Sequence, residues 1–504
     1  MSKYLKSKHF LILFILLYLS FFLRLYKLTQ IPSGIFVDEM SDSYDAFSLI
    51  NTGKNVYGDS WPLFFNKFHL AYIEPLYIYL TIPIVLTFGL NEFSTRFLAV
   101  IAGTVTVLGV YLLSREMFNK RVGMISAIIV AFSPWSFHFS RIGFRAVLAP
   151  TFIIFSLYFF LRGIKNSKFY SLFAIFLGLS LYTYSPLKLY VPVVLVLISI
   201  FYFKELIRDI LSLNKYLFVS IFIFVLISFP VYYFSFFGEG NSRFNYLSVF
   251  SQENPWQLFI KNYFAHLNFK YLFLAGDSNV RHSVPGIGTF YLFNFFGVLL
   301  SLFYFVKERK KEFVLLVLFF LLTFVPSSLT IDGIPHTIRS ISGLFTLDIL
   351  SGVGIYFLIS LFKNFKWKVF VTSMVSILFF ANVIYYFNLY FNKYPAQSEI
   401  WFNYGVDKAL YYTESVKNNY DNIYISFSFW EPFMFPLFYL KIDPIEYQNY
   451  KTMGKYKECR VKIEECYRPN ENNLYITSPY ELNQGELVYT FYNENNQPVV
   501  KVVK

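Results

Sequence analysis

Apolar runs separated by short polar connectors follow one another from residue 10 to residue 392. They lie at roughly 10–26, 71–90, 97–114, 122–138, 146–162, 169–184, 187–203, 216–237, 287–305, 313–329, 340–361 and 369–390. Each approaches the ~20 residues of helix that cross a ~30 Å hydrocarbon core, so the pattern predicts an all-α polytopic membrane region. After Tyr394–Pro395 the pattern changes. "SEIWFNYGVDKALYYTESVKNN" has helical amphipathicity, while "NIYISFSF", "NLYIT", "LVYTFY" and "VVKVV" read as strands. Two domains are expected: 1–392 in the membrane, with an outer loop at 27–96, and 393–504 as a small α/β domain outside it.

Positive charge orients the spans. Lys3, Lys6 and Lys8 precede the first run, Arg24 and Lys27 close it, and no small-residue cleavage site follows. The run is therefore expected to be an uncleaved anchor with a cytoplasmic N-terminus. Further clusters occupy alternate connectors: Arg115, Lys120 and Arg121; Arg162, Lys165 and Lys168; Lys204, Arg208 and Lys215; Lys307, Arg309, Lys310 and Lys311; Lys363, Lys366 and Lys368. If all twelve runs crossed, these clusters would fall on the opposite side from the N-terminal lysines, so one run must fail to cross. Residues 71–90 are the expected exception, because Glu74 interrupts the run and Pro75 and Pro83 disturb helical hydrogen bonding. The alternative is that 71–90 crosses and a later run does not. About eleven transmembrane helices plus interfacial helices follow, with the C-terminal domain extracytoplasmic.

Composition supports the membrane assignment and removes one partner class. The 504 residues are 56% hydrophobic and only 15% charged, with a mean hydropathy of +0.47, where soluble chains carry about 25% charged residues. An ordinary soluble enzyme and a disordered chain are both excluded. The net charge of +13 is unevenly distributed: the tail from residue 393 holds 12 Lys+Arg and 14 Asp+Glu, leaving 32 against 17 before it. The excess belongs to the connectors rather than to a basic stripe, so no nucleic-acid partner is expected. Cys459 and Cys466 are too few for a disulfide framework or a four-cysteine zinc site. In an oxidising compartment a local bridge and two free thiols both fit. P-loops, dinucleotide glycine fingerprints and zinc-spaced histidines are missing from the sequence, so no nucleotide-sugar site is evident.

The varied chemistry collects on the outer side. After the first run comes "IPSGIFVDEMSDSYDAFSLINTGKNVYGDSWPLFF", with Asp38–Glu39 ahead of a helical pattern that includes Asp42, Asp45, Tyr44 and Phe47 and stops at Gly53. Carboxylates at an apolar boundary are candidates for general-base work; a solvated acidic loop is the other reading.

The stretches "GIFVDEMSDSYDAFSLINTGKNVYG", "EPLYIYLTIPIVLTFGLNEFSTRFLAVIAGTVTVLGVYLLSREMFNKRVG", "FSPWSFHFSRIGFRAVLAP", "GLSLYTYSPLKLYVP" and "PHTIRSISGLFTLDILSGVG" follow in this order over roughly 30–360. This order resembles glycosyltransferase family 39, the protein O-mannosyltransferases and the lipid A aminoarabinose transferases, which share the GT-C fold. The resemblance implies transfer of a sugar, with inversion, from a polyprenyl-phosphate donor to a protein, lipid or glycan acceptor on the outer face of the membrane. In such enzymes the aspartate of the first-loop acidic pair deprotonates the acceptor hydroxyl, a role that falls on Asp38. Glu39 would hold the acceptor or orient the base. The glutamate of the "EPLYIYL" stretch contributes in relatives to a divalent-metal or donor-phosphate site; this maps onto Glu74, although Ile73 stands where a polar residue is common.

A departing lipid phosphate needs positive charge, and Arg matches phosphate oxygens with its planar fork. Arg141 and Arg145, spaced i,i+4, are expected on one helix face; with Lys188, His336 and Arg339 they are the donor-phosphate candidates, and these positions resemble the family's basic motifs. Arg96 and the pair Arg281–His282 also face outward, whereas His138 reads as packing and His69 as interfacial. A lipid-linked oligosaccharide flippase and an oligosaccharide ligase or polymerase are the competing readings. A flippase places charge in the middle of its spans, whereas here it gathers at their outer ends.

Overall fold

The computed structural model describes the backbone of residues 2–504 and side chains from His9 onward, so the side chains of Lys3, Lys6 and Lys8 lie outside the described residues. Every apolar run contains a helix, from α1 (Ser2–Leu25) to the long helix Phe365–Asn388; the run 71–90 opens with the short strand Ala71–Ile73. Among the described residues, five helices are long and apolar enough to cross a membrane: Glu92–Met117, Arg145–Lys165, Lys215–Phe237, Lys311–Ser328 and Phe365–Ser398. A sixth arises if Leu187–Phe201 and Phe203–Leu211, bent by 83°, form one span. Shorter apolar helices occupy His9–Leu25, Leu76–Phe88, Ser167–Ser180 and Phe345–Leu361. The fold is a mostly helical membrane architecture with a small C-terminal sheet domain.

The chain divides into two compact units. The first holds residues up to Tyr26, His69–Leu76 and Ala99–Tyr390. Its helices approach closely where side chains are small. A Cβ on Gly297 would strike Ser351, and one on Gly354 would strike the Gly297 carbonyl, so Leu292–Glu308 and Phe345–Leu361 pack backbone to backbone as small-residue faces do in lipid. The helix Pro134–Phe139 ends at Ser140, whose N–H bonds back to Ser136, and Arg145 opens a separate 3₁₀ turn, Arg145–Val147. Arg141 and Arg145 therefore do not share a helix face as their spacing predicted; the intervening Ile142–Gly143–Phe144 is not helical.

The second unit comprises Lys27–Phe68, Tyr77–Leu98 and Phe391–Lys504. Helix α2 (Val37–Thr52) begins with a capping box in which Glu39 at N3 accepts the Phe36 N–H, and ends at Gly53 with φ 67°, the predicted stop. Helix α3 (Leu76–Phe88) has 13 residues, about 20 Å at 1.5 Å per residue, short of a ~30 Å core. It is followed by α4 (Glu92–Met117).

In the tail the expected long helix is shorter, Val406–Val416, because Asn403 and Gly405 adopt positive φ and interrupt it. Five strands follow: β1 (Ile423–Ser426), β2 (Tyr456–Cys459), β3 (Leu474–Thr477), β4 (Leu487–Tyr492) and β5 (Pro498–Val503). They pair in the order β2-β1-β3-β5-β4. β1 runs parallel to β2 and β3, with Ile423 opposite Tyr456 and Leu474, while β5 runs antiparallel to β3 and β4. Strand β2 was not foreseen: "YKEC" is too polar to read as a strand. Cys459, at its end, is bridged to Cys466.

Candidate functional site

Two clusters of charged side chains stand out, one in each unit. In the second unit they gather on the first turn of α2. Glu39 is fully buried, and its carboxylate accepts from Arg96 Nε at 3.0 Å and Nη2 at 3.3 Å. The same guanidinium donates to the carbonyls of Leu28 at 3.1 Å, Pro32 at 3.2 Å and Gly34 at 2.6 Å. One arginine thus ties the loop before α2 to its first turn. Gly34 suits its place: φ is 86°, and a Cβ there would strike the Phe402 carbonyl.

Lys67 holds the other side. Its ammonium donates to Asp42 Oδ1 at 2.7 Å and to the Asp38 carbonyl at 3.1 Å, and lies 3.8 Å from Asp38 Oδ1. Asp42 is 1% exposed, whereas the Asp38 side chain is 27% exposed. Of these three carboxylates, Asp38 alone faces solvent to any extent. Asp45 is buried and accepts the Val56 N–H at 2.9 Å.

Trp430 adds an aromatic wall, stacked on Phe36 at 5.9 Å with Phe68 edge-on at 5.7 Å. Trp430 and Glu431 both take positive φ, 44° and 48°, a costly conformation for such side chains. Burial pushes the Glu431 carboxyl up to about 7; Glu458 and Asp38 add to the rise, and Arg460 opposes it.

In the first unit, Glu74 and Lys188 meet across more than 100 residues of sequence, Nζ to Oε1 at 3.1 Å, and the Ser185 hydroxyl donates to the same oxygen at 2.7 Å. Lys188 also donates to the Gly240 carbonyl at 2.9 Å. Among the described residues Glu74 joins no cluster of three metal-ligating side chains, and its ammonium partner occupies the place a cation would take. The residues around Glu74 do not fit a metal.

Arg339 donates to Thr330 Oγ1 at 2.7 Å and to Asp332, at its carbonyl (2.8 Å) and its carboxylate (3.1 Å). His336 is buried nearby in sequence; its own N–H is received by His266 Nε2 at 3.0 Å. Burial above all, then His282, Arg339, His266 and Arg243, hold the His336 imidazolium well below its usual range. Arg145 is buried in its 3₁₀ turn. Arg141 is fully buried and donates to Tyr390 Oη at 3.1 Å and to the carbonyls of Leu23 at 3.1 Å and Arg24 at 2.6 Å. Its visible partners are the protein's own interior.

Two participants were not singled out in the sequence. Lys67 had one signal, a lone cation in the aromatic stretch "WPLFFNKFHL" that follows an acidic loop. Glu431 had none beyond being an acidic residue in an otherwise uncharged segment.

Residues 74–234 match the family model described as dolichyl-phosphate-mannose-protein mannosyltransferase. A search of curated protein sequences found no match. Among solved structures, ArnT from Cupriavidus metallidurans bound to undecaprenyl phosphate superposes with a TM-score of 0.56 at 12% identity, over 100% of this chain and 98% of that one. The apo form of that enzyme gives 0.56 at 13% identity, over 99% and 98%. The apo Archaeoglobus fulgidus oligosaccharyltransferase gives 0.55 at 14% identity, over 87% of this chain; this chain spans 64% of that protein's length. The fold is that of the GT-C membrane glycosyltransferases, and the resemblance read from the ordered motifs is borne out.

Proposed function

From the premise of a membrane protein with the GT-C glycosyltransferase fold, we propose that the chain is an inverting transferase that moves a sugar from a polyprenyl-phosphate donor to a hydroxyl of a protein, lipid or glycan acceptor on the outer face of the membrane. The family match over 74–234 and the fold shared with ArnT support transferase activity with a lipid-linked donor. One observation carries the assignment of the base. At the start of α2, Glu39 and Asp42 sit in buried ion pairs with Arg96 and Lys67, while the Asp38 carboxylate, 3.8 Å from the same Lys67, is 27% exposed.

Asp38 takes the proton from the acceptor as its heteroatom attacks the anomeric carbon. The bond to the lipid phosphate breaks on the opposite face, and the configuration inverts. Lys188, Arg145 and Arg339 are the groups for the donor phosphate and offset the charge that develops on the leaving oxygen, with His336 on the connector that carries Arg339. Glu74 sets the position of the Lys188 ammonium. Arg141 supports the turn that carries Arg145, and Glu39 orients Asp38 through the backbone of α2. No step runs through a metal.

The Cys459–Cys466 bridge supports an oxidising, extracytoplasmic location for the tail, as the positive-inside pattern predicts. The test is Asp38→Asn in purified full-length protein, supplied with a panel of labelled polyprenyl-phosphate sugars and acceptor-containing membranes. Transfer should fall by ~10²-fold or more while the protein stays folded; undiminished transfer overturns the assignment.

A further inference from the structure

We propose that Asp277, His282 and His336, all in the first unit, form a binding site for one divalent transition-metal ion of the zinc class. Their ligand atoms lie within 4.8 Å of one another, and they come from two connectors far apart in sequence. This chemistry is specific. Two imidazoles and one carboxylate favour zinc and its transition-series neighbours over magnesium or calcium, which prefer an all-oxygen shell.

The spacing is already close to that of a metal site. His282 Nδ1 lies 3.2 Å from Asp277 Oδ2, longer than the ~2.7–2.9 Å of a strong charge-assisted hydrogen bond. Bonds of ~2.0–2.1 Å to zinc put tetrahedral ligands about 3.3 Å apart. The His336 ring stacks on His282 with centroids 4.5 Å apart and 29° between planes. Ligation requires that ring to tilt further, so that its lone pair meets those of the other two.

A second, independent observation points to a ligand. His336 Nδ1 is buried and has no hydrogen-bond partner among the described residues, in a side chain only 7% exposed. An orphaned buried polar atom costs about 1–3 kcal/mol, and such atoms call for an unseen water or ion.

The supporting contacts are those that fix metal ligands. Asp277 Oδ2 accepts the Thr337 N–H at 3.0 Å and Oδ1 the Asn279 N–H at 2.9 Å. The His336 N–H is held by His266 Nε2, and His266 is itself anchored by the Asn262 carbonyl at 2.7 Å and Ser327 Oγ at 2.8 Å. A cavity of about 10 Å³, lined in part by His282 and Thr337, adjoins the cluster. That is the size of one water, the fourth ligand that a site with three protein ligands takes. The ion would clamp the connector 238–286 to the connector 330–339, the latter carrying Arg339.

The test uses tag-free full-length protein in detergent, treated with chelator, freed of it, equilibrated with Zn²⁺ and washed; retained metal is measured by mass spectrometry, and Co²⁺ reports the ligands by its visible spectrum. The expected result is about one zinc per chain, unaffected by excess Mg²⁺, with a raised Tm. His282→Ala and His336→Ala should each lower retained zinc at least tenfold, while His69→Ala retains it. If His336→Ala fails to fold, His282→Ala, at the more exposed position, decides. Substoichiometric zinc in the parent chain, or full retention in His282→Ala, overturns the proposal.

Discussion

Asp38 and Glu39 are adjacent carboxylates in different surroundings, one 27% exposed and the other fully buried against Arg96, and a paired substitution separates their proposed roles. Glu39→Gln keeps an oxygen for the capping bond to the Phe36 N–H, since Gln serves at N3 as Glu does. It removes the Glu39 carboxylate from Arg96, in a pair whose side chains are both 0% exposed. The guanidinium would keep its carbonyl partners at Leu28, Pro32 and Gly34 but lose the buried carboxylate it is paired with. Breaking such a pair from one side costs about 3–5 kcal/mol. For a unit of roughly this size each kcal/mol lowers Tm by ~2–4 °C, so a fall of about 6–20 °C is expected. Asp38→Asn removes a carboxylate that is 27% exposed and 3.8 Å from Lys67, an interaction worth at most ~1 kcal/mol. Its Tm should stay within about 4 °C of the parent, while transfer falls by ~10²-fold or more. Thermal unfolding in detergent and labelled-sugar transfer are measured on both variants. If Glu39→Gln unfolds at the parental temperature yet loses transfer as Asp38→Asn does, Glu39 takes part in the chemistry and the positioning argument is wrong.

Other predictions rest on separate contacts. Because the folded pKa of Glu431 is raised to about 7, the native state binds more protons than the unfolded chain between about pH 4.3 and 7. Stability should therefore fall as pH rises through that window and level off above it. Glu431→Gln should flatten this slope; equal Tm differences between pH 5 and pH 8 in parent and variant would contradict it. Replacing Cys459 and Cys466 with serine opens a short loop, worth ~2–3 kcal/mol on the chain-entropy argument. Tm should fall, and non-reducing peptide mapping of the parent should recover the two cysteines in one linked species. Lys188→Met leaves Glu74 buried without its ammonium and should weaken donor binding by about tenfold, the loss of one charged contact, with partial recovery in Lys188→Arg. Unchanged donor KM in Lys188→Met would remove Lys188 from the phosphate site.

Where information is local, the residues were enough. The twelve apolar runs carry their own helical requirement, and each contains a helix, although 71–90 opens with the short strand Ala71–Ile73 before its helix begins at Leu76. Gly53 stops α2 because a left-handed C-cap is a property of that residue in that place. The strands "NIYISFSF", "NLYIT", "LVYTFY" and "VVKVV" alternate or cluster β-formers, and each contains a strand. Local spacing also misled. The i,i+4 interval of Arg141 and Arg145 implied one helix face, but the Ser140 cap and the non-helical residues after it separate them.

The sequence by itself determined the membrane class, the helical segments, the C-terminal sheet and the identity of the acidic loop, because hydrophobic length, periodicity and turn chemistry act over a few residues. Only the tertiary structure decided what each charge does. Arg96, read as an outward-facing candidate, is the buried counter-ion of Glu39; Lys67, unremarked in the sequence, anchors Asp42 and the Asp38 carbonyl; Glu74 finds Lys188; and His336, set among the phosphate groups, sits beside Asp277 and His282. In a buried, weakly screened interior a charge is fixed by its nearest opposite charge and by the donors it can reach. Those partners lie tens to hundreds of residues away, where no local pattern records them.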